Sequence, residues 1–197
     1  MPRLSDDTRR DRRDQIAAAA LRCFVRDGFA STSMADIIAE SGLSAGSIYS
    51  HFDSKAALLR HAIAEVLTAR LESLQAGLDS RDRPTPAEVL DQLLLEQDEP
   101  FEATASLLLQ VWSQVPFEQE LARLASDAVT DLLDVVVGAL APWGRERFGS
   151  DADDRARDAA GVVLAAMHGF VVRIVLQPGA DREELRRSVV NGLAVSG

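Results

Sequence analysis

The sequence predicts an all-α protein, and three observations support this fold class. Apolar residues recur at three- and four-residue spacing along most of the chain, which is the period of an amphipathic helix. No run of alternating apolar and polar residues bounded by turns predicts a strand. Serine, aspartate, proline and glycine stand where helices would begin and end. We therefore expect helices joined by short loops.

The first helix is predicted to run from an arginine- and aspartate-rich start to Gly28. Ile16, Ala20, Cys23 and Phe24 share its apolar side. A single cysteine excludes an intrachain disulfide, so we expect Cys23 to be a buried, apolar side chain in a reducing compartment. The polar N-terminus does not have the hydrophobic stretch of a signal peptide, and a cytoplasmic location is expected.

A short helix, a sharp turn and a second short helix are predicted between Ser33 and Phe52. Ser33 can cap the first helix, with Asp36 three residues later as its reciprocal partner. Gly42 can adopt the left-handed conformation that ends this helix, and Ser44 begins the next. Such a helix-turn-helix places its second helix in the major groove, which is roughly 12 Å wide. The segment therefore predicts double-stranded DNA as a partner.

A third helix is predicted from Ser54 to about Leu78. Its first turn carries Lys55, the only lysine in the chain. The amino-terminal end of a helix is electropositive, so a lone cation there suggests a phosphate ligand.

Short motifs follow one another from about Thr8 to Ile63. They are Gly28-Phe29, Thr32-Ser33, Ile37-Ile38-Ala39, Gly42-Leu43-Ser44, Tyr49-Ser50-His51-Phe52, Ser54-Lys55 and Leu58-Leu59. This order resembles the N-terminal domain of the TetR/AcrR family of transcriptional regulators. The resemblance implies that the DNA backbone is contacted by Thr32, Ser33, Ser44, Tyr49, His51 and Lys55. It further implies that bases face Ala45, Gly46, Ser47 and Ser50.

The sequence departs from the family pattern in two places. The forward face of the second helix, Ala45 to Ser47, has none of the Arg, Lys, Asn or Gln side chains that make bidentate contacts with bases. We therefore expect thymine methyl groups, close backbone approach and DNA shape to contribute to specificity. Ala56 follows Lys55 at a place where the family often has an acidic residue.

Other interpretations of these residues stay open. The segment could be a helical bundle that binds nothing, and His51 beside Asp53 could be a general base with its orienting carboxylate. Because no nucleophile accompanies that pair, no enzyme is predicted. The arginines near the N-terminus either attract phosphate or pair with neighbouring aspartates on an exposed helix face. They are Arg3, Arg9, Arg10, Arg12 and Arg13.

The net charge of −10 is unevenly distributed. Residues 1–60 hold nine basic and eight acidic side chains, whereas the remainder holds 12 and 23. The acidity therefore belongs to the C-terminal part and does not argue against DNA binding by the N-terminal part.

Two domains are expected, an N-terminal arm with the DNA-binding motif (1–53) and a larger helical domain for effector binding and dimerisation (54–197). Further helices are predicted at about 86–97, 101–114, 117–141, 153–176 and 181–194, with Pro142 and Gly144 closing the 117–141 helix. The apolar run Val162 to Leu176 is shorter than the roughly 20 residues that span a bilayer. No membrane partner is therefore predicted, and this run is expected to be a buried helix.

The last two helices are expected to form a homodimer interface, as the resemblance also implies. The contributing residues are predicted to be Gly161, Gly169, Arg173, Leu185, Val189 and Leu193. A two-fold dimer is what a palindromic DNA site requires. The alternative is that the apolar run forms the core of a monomer.

The resemblance implies a small-molecule effector, whose identity the sequence does not give. Candidate contact residues are Phe101, Gln110, Trp112, Met167, His168 and Phe170, although residues such as Trp112, His168 and Phe170 are more often core side chains. No cofactor is predicted, and no metal site either, because only three histidines are present and one belongs to the DNA motif.

We expect a ligand-responsive regulator, a repressor released from a palindromic operator by an apolar or amphipathic molecule. The alternative is a helical adaptor without DNA activity.

Overall fold

The computed structural model describes residues 6–95 and 101–196, and within these two ranges it contains helices and no strands. The predicted all-α class is confirmed. The helices are α1 (Asp6–Asp27), α2 (Met34–Ser41), α3 (Ala45–Tyr49), α4 (Lys55–Asp79), α5 (Pro86–Leu95), α6 (Phe101–Gln114), α7 (Gln119–Phe148), α8 (Ala152–Leu176) and α9 (Arg182–Ser196). A single 3₁₀ turn, Gly149–Asp151, joins α7 to α8.

The predicted end of the 117–141 helix is wrong, because α7 continues through Pro142 to Phe148. A proline inside a helix removes one backbone hydrogen bond and crowds the carbonyl of the residue four positions earlier. Here packing outweighs that cost. Val136 and Leu140 are buried before Pro142, and Gly144 beyond it is buried against the start of α8.

The chain divides into two compact units, and their limits do not follow the predicted boundary at residue 53. The first unit comprises residues 1–68 and 106–124, so it includes the start of α4, most of α6 and the start of α7. The second comprises residues 69–105 and 125–197. The boundary at 53 is a division by function and stays a prediction.

The core of the first unit joins the predicted DNA-binding segment to parts of α6 and α7. Its fully buried side chains on α1 to α4 include Ile16, Phe24, Ile37, Ile48 and Leu58. Leu107, Val111 and Leu121 from the later helices belong to the same cluster. Cys23 is buried among them, as expected, and burial raises the pKa of its thiol, which keeps it protonated and unreactive.

In the second unit, α5 packs against both α8 and α9. Val89, Leu90 and Leu94 on α5 are buried, as are Phe170 on α8 and Leu185 on α9. Arg186 on α9 pairs with Asp91 on α5 and with Glu183 one turn earlier. The core of this unit therefore uses one face of each of the two C-terminal helices.

The expectation that Val162 to Leu176 is buried on all sides is only half met within one chain. Val163, Leu164, Phe170, Val171 and Ile174 are buried, but the opposite face is exposed. That exposed face consists of Gly161, Val162, Ala165, Gly169, Arg173 and Leu176. By length and composition alone, one 18-residue window between Gln119 and Leu176 could cross a bilayer. This is weak evidence, because the core helix of a soluble protein meets the same criteria.

We expect Gly144→Ala to destabilise the protein by about 1–3 kcal/mol, because a Cβ at this position would lie 2.7 Å from the carbonyl oxygen of Ala152. The matched control is Gly138→Ala on the same helix, where the added methyl group meets nothing within 4 Å. Gly138→Ala should stabilise the protein by about 0.5–1 kcal/mol, because alanine is favoured over glycine within a helix. Urea unfolding followed by circular dichroism measures both changes. Equal effects of the two substitutions would contradict the close approach of α7 to α8.

Candidate nucleic-acid interface

The turn between α2 and α3 has the geometry that the sequence predicts. The Ser33 hydroxyl accepts from the amide of Asp36, and the Asp36 carboxylate accepts from the amide of Ser33, which completes the capping box. The Ser33 hydroxyl also donates to the Asp36 carboxylate at 2.6 Å, and this bond, together with the one from the Ser33 amide, holds the pKa of Asp36 below its usual value. Gly42 ends α2 at φ 68°, in the left-handed region that favours glycine. The Ser44 hydroxyl then accepts from the amide of Ser47 and caps α3.

Helix α3 presents small polar side chains outward and is anchored by one buried residue. Ile48 is fully buried, whereas Tyr49 is 53% exposed. The other outward residues are Ser44, Ala45, Gly46 and Ser50, which are exposed, and Ser47, which is half-buried. A short helix with this exposed face and a capped amino-terminal end can approach a DNA groove closely.

Thr32 does not have the exposed position that a phosphate contact needs. Only 2% of this residue is accessible to solvent, and its hydroxyl donates to the carbonyl of Gly28 at 2.8 Å. Its amide donates to the same carbonyl at 3.2 Å. Thr32 therefore stabilises the turn between α1 and α2, and its contact with DNA stays a prediction.

Lys55 likewise serves the turn between α1 and α2. Its ammonium group donates to the carbonyls of Phe29 at 2.6 Å, Thr32 at 2.7 Å and Ala30 at 3.3 Å. It also lies 4.5 Å from the centre of the Phe29 ring, within range of a cation–π interaction. An ammonium group has three donors, and all three are used. Lys55 therefore holds the turn, and its contact with phosphate stays a prediction.

Gln110 on α6 binds the other side of the same turn. Its Oε1 atom accepts from the amide of Phe29 at 3.0 Å, and its carboxamide lies against Gly28. The sequence predicted Gln110 as an effector contact and did not predict this bond. The only signal was a polar residue within an apolar helix, and 81 residues separate the two partners.

His51 lies at the edge of the interface, half-buried, and its Nδ1 atom is shielded from solvent without a hydrogen-bond partner among the described residues. Burial lowers the pKa of the imidazole, and the charges of Arg9, Arg13 and Arg12 lower it further. The ring is therefore kept neutral near pH 7. A neutral imidazole can still donate one hydrogen bond to a phosphate.

The predicted effector contacts are divided between the two compact units. Gln110 and Trp112 belong to the first unit, and Met167, His168 and Phe170 to the second. Phe170 is fully buried in its own core, and His168 is half-buried, with its pKa lowered by burial. The side chain of Phe101 lies outside the described residues.

The predicted dimer contacts also fall into two groups. Gly161, Gly169 and Arg173 are exposed on α8, whereas Leu185 on α9 is 5% exposed and belongs to the core of its own chain. Leu185 is therefore corrected to a core residue, and Val189 and Leu193 are half-buried. Sequence analysis did not select the exposed apolar residues Val162, Leu176 and Val195.

Comparison with known proteins identifies the N-terminal part of the chain. Residues 16–62 match the profile described as bacterial regulatory proteins, tetR family. The uncharacterized HTH-type transcriptional regulator YerO of Bacillus subtilis is 26% identical over 188 residues, which cover 93% of this chain and 63% of YerO. The HTH-type transcriptional regulator TtgR of Pseudomonas putida is 31% identical over 124 residues, which cover 63% of this chain and 52% of TtgR.

A solved structure shares the fold of the whole chain. It is a transcriptional regulator from Saccharomonospora viridis in complex with choline, with a TM-score of 0.78, 21% identity, and coverage of 94% of this chain and 96% of that one. The chain spans about half to two thirds of the length of the two curated relatives. The matched segment contains the capped α2, the turn at Gly42 and the exposed face of α3. By this match, residues 16–62 form the DNA-binding segment of the tetR family of bacterial regulatory proteins.

Proposed function

We propose that the protein is a cytoplasmic transcriptional regulator that binds a palindromic DNA site as a homodimer. One observation carries the proposal. Helix α3 exposes a face of small residues, and it follows α2, whose amino-terminal end has a complete capping box. Ser33, Ser44, Tyr49 and His51 are the proposed contacts with the DNA backbone. The proposed contacts with bases are Ala45, Gly46, Ser47 and Ser50. Catalysis has no part in this function.

We further propose that the regulator is a repressor and that a small amphipathic molecule releases it from DNA. The structural relative from Saccharomonospora viridis is in complex with choline, which supports a small-molecule ligand for this chain. An effector can act only through a difference in its affinity for the DNA-binding and released forms. The predicted effector contacts stay proposals; they are Phe101, Gln110, Trp112, Met167, His168 and Phe170. The helical adaptor considered from the sequence has no counterpart among the relatives described above.

The first test is selection of bound fragments from random duplex DNA at one fixed salt concentration, followed by titration of the enriched site. We expect a palindrome whose affinity falls as salt rises. Tyr49→Phe should weaken binding about tenfold at every sequence, because it removes only a hydroxyl that donates to a phosphate.

Thr130→Val is the matched control, since it removes an exposed hydroxyl from α7 in the second unit. It should leave DNA affinity unchanged. A folded dimer that enriches no sequence would argue against the regulator, and an unaltered affinity of Tyr49→Phe would remove Tyr49 from the interface.

Lys55→Met should destabilise the protein by about 2 kcal/mol or more, because three carbonyls lose a charged donor while the apolar stem is kept. DNA affinity should fall as well, since the turn that positions α2 is loosened. The salt dependence of binding separates this role from a phosphate contact. The slope of log affinity against log salt concentration should not change in Lys55→Met, whereas loss of a phosphate ligand would reduce that slope by about one.

Val162→Glu should convert the dimer to a monomer, because it places a charge on the exposed apolar face of α8. Val129→Glu is the matched control, as Val129 is a similarly exposed valine on α7, 44% accessible compared with 52% for Val162. Sedimentation velocity measures both. A Val162→Glu variant that remains dimeric would locate the interface elsewhere.

A further inference from the structure

We propose that Asp14, His61 and Glu65 bind a divalent transition-metal ion within the first compact unit. One oxygen of each carboxylate and one imidazole nitrogen lie within 4.8 Å of one another. His61 and Glu65 are four residues apart on α4 and therefore share a face of that helix, while Asp14 comes from α1. An ion bound by all three would join α1 to α4. The sequence alone predicted no metal site, and only the fold brings these residues together.

The imidazole of His61 is the anchor of the proposed site. Its Nε2 atom is shielded from solvent and has no hydrogen-bond partner among the described residues. The nearest carboxylate oxygen, Oδ1 of Asp14, is 3.7 Å away, which is beyond hydrogen-bond distance. The ring lies against Phe52, with the two ring centres 5.3 Å apart. A buried polar atom without a partner costs free energy, and coordination of an ion would supply the partner.

The two carboxylates are free to move toward an ion. The Asp14 side chain is 47% exposed, and Glu65 is exposed. Within the described part of the chain, no lysine or arginine nitrogen lies within 4.0 Å of either carboxylate. Ligand atoms around one ion bound at roughly 2.0–2.2 Å stand about 3–4 Å apart. The observed separations therefore require only a small rotation of exposed side chains.

Nearby arginines determine which ion can bind. Arg9, Arg10 and Arg13 line the same open cleft of about 670 Å³ and repel any cation. Arg13 is held 4.9 Å from the centre of the Phe52 ring, and Arg9 and Arg10 are exposed. The positive charge of these arginines disfavours ions such as Mg²⁺ and Ca²⁺, which are bound mainly by oxygen ligands and by charge. An ion with strong affinity for imidazole can bind despite this charge, and Zn²⁺ is the appropriate probe.

Titration of the full-length protein with ZnCl₂ by isothermal calorimetry tests the proposal without reference to DNA. We expect one saturable site per chain that His61→Ala abolishes and that Glu65→Gln weakens by at least about tenfold. The matched controls are Glu72→Gln, which changes an exposed carboxylate further along α4, and His168→Ala, which changes an imidazole in the second unit. Both controls should bind zinc as the unaltered protein does.

The proposal is overturned if the unaltered protein shows no saturable binding, or if His61→Ala and Glu65→Gln bind as tightly as it does. Should His61→Ala fail to fold, Glu65→Gln decides the matter, because this substitution is at an exposed position and leaves the contact between His61 and Phe52 intact. Circular dichroism without zinc establishes the folding of each variant.

Discussion

The turn between α1 and α2 is the constraint on which the first unit depends. Five residues, Gly28 to Thr32, lie between the end of α1 and Ser33, the cap of α2, and their backbone groups must be paired as the chain turns beside the core. Lys55 on α4 binds three of the carbonyls, and Gln110 on α6 binds one amide. The turn is therefore fixed by two helices that are distant in sequence. Because Ser33 follows directly, these contacts also set the direction in which α2 and α3 leave the turn.

This arrangement explains why most of α6 belongs to the first compact unit although the sequence suggested a boundary before α4. Leu107 and Val111 are buried in the same cluster as Ile37 and Ile48, so apolar packing and the Gln110 bond act on the same element. A displacement of α6 would have to disturb both. In the proposed regulator, α6 is accordingly the element through which a change elsewhere could reach the turn.

Local features of this chain could be predicted from sequence, and distant ones could not. The capping box at Ser33, the left-handed Gly42 and the cap at Ser44 depend on neighbours within three residues, and the structure contains all of them. The bonds that Thr32 and Lys55 form within the turn depend on which carbonyls the fold places within reach, so the sequence interpretation did not predict them. Pro142 shows the same limit, because the propensity to end a helix was outweighed by packing around Leu140 and Gly144.

In the proposed regulator, the chemistry of α3 connects DNA recognition to dimerisation. Its outward side chains are too short for bidentate contacts with bases, so each α3 can obtain little specificity from hydrogen bonds in the groove. Specificity would then come from DNA shape and from the fixed distance between two copies of α3. That distance depends on how two chains associate, and the exposed apolar face of α8 around Val162 and Leu176 is the proposed place of association. A regulator built this way is sensitive to its dimer geometry, because a small change in spacing removes contacts at both half-sites together.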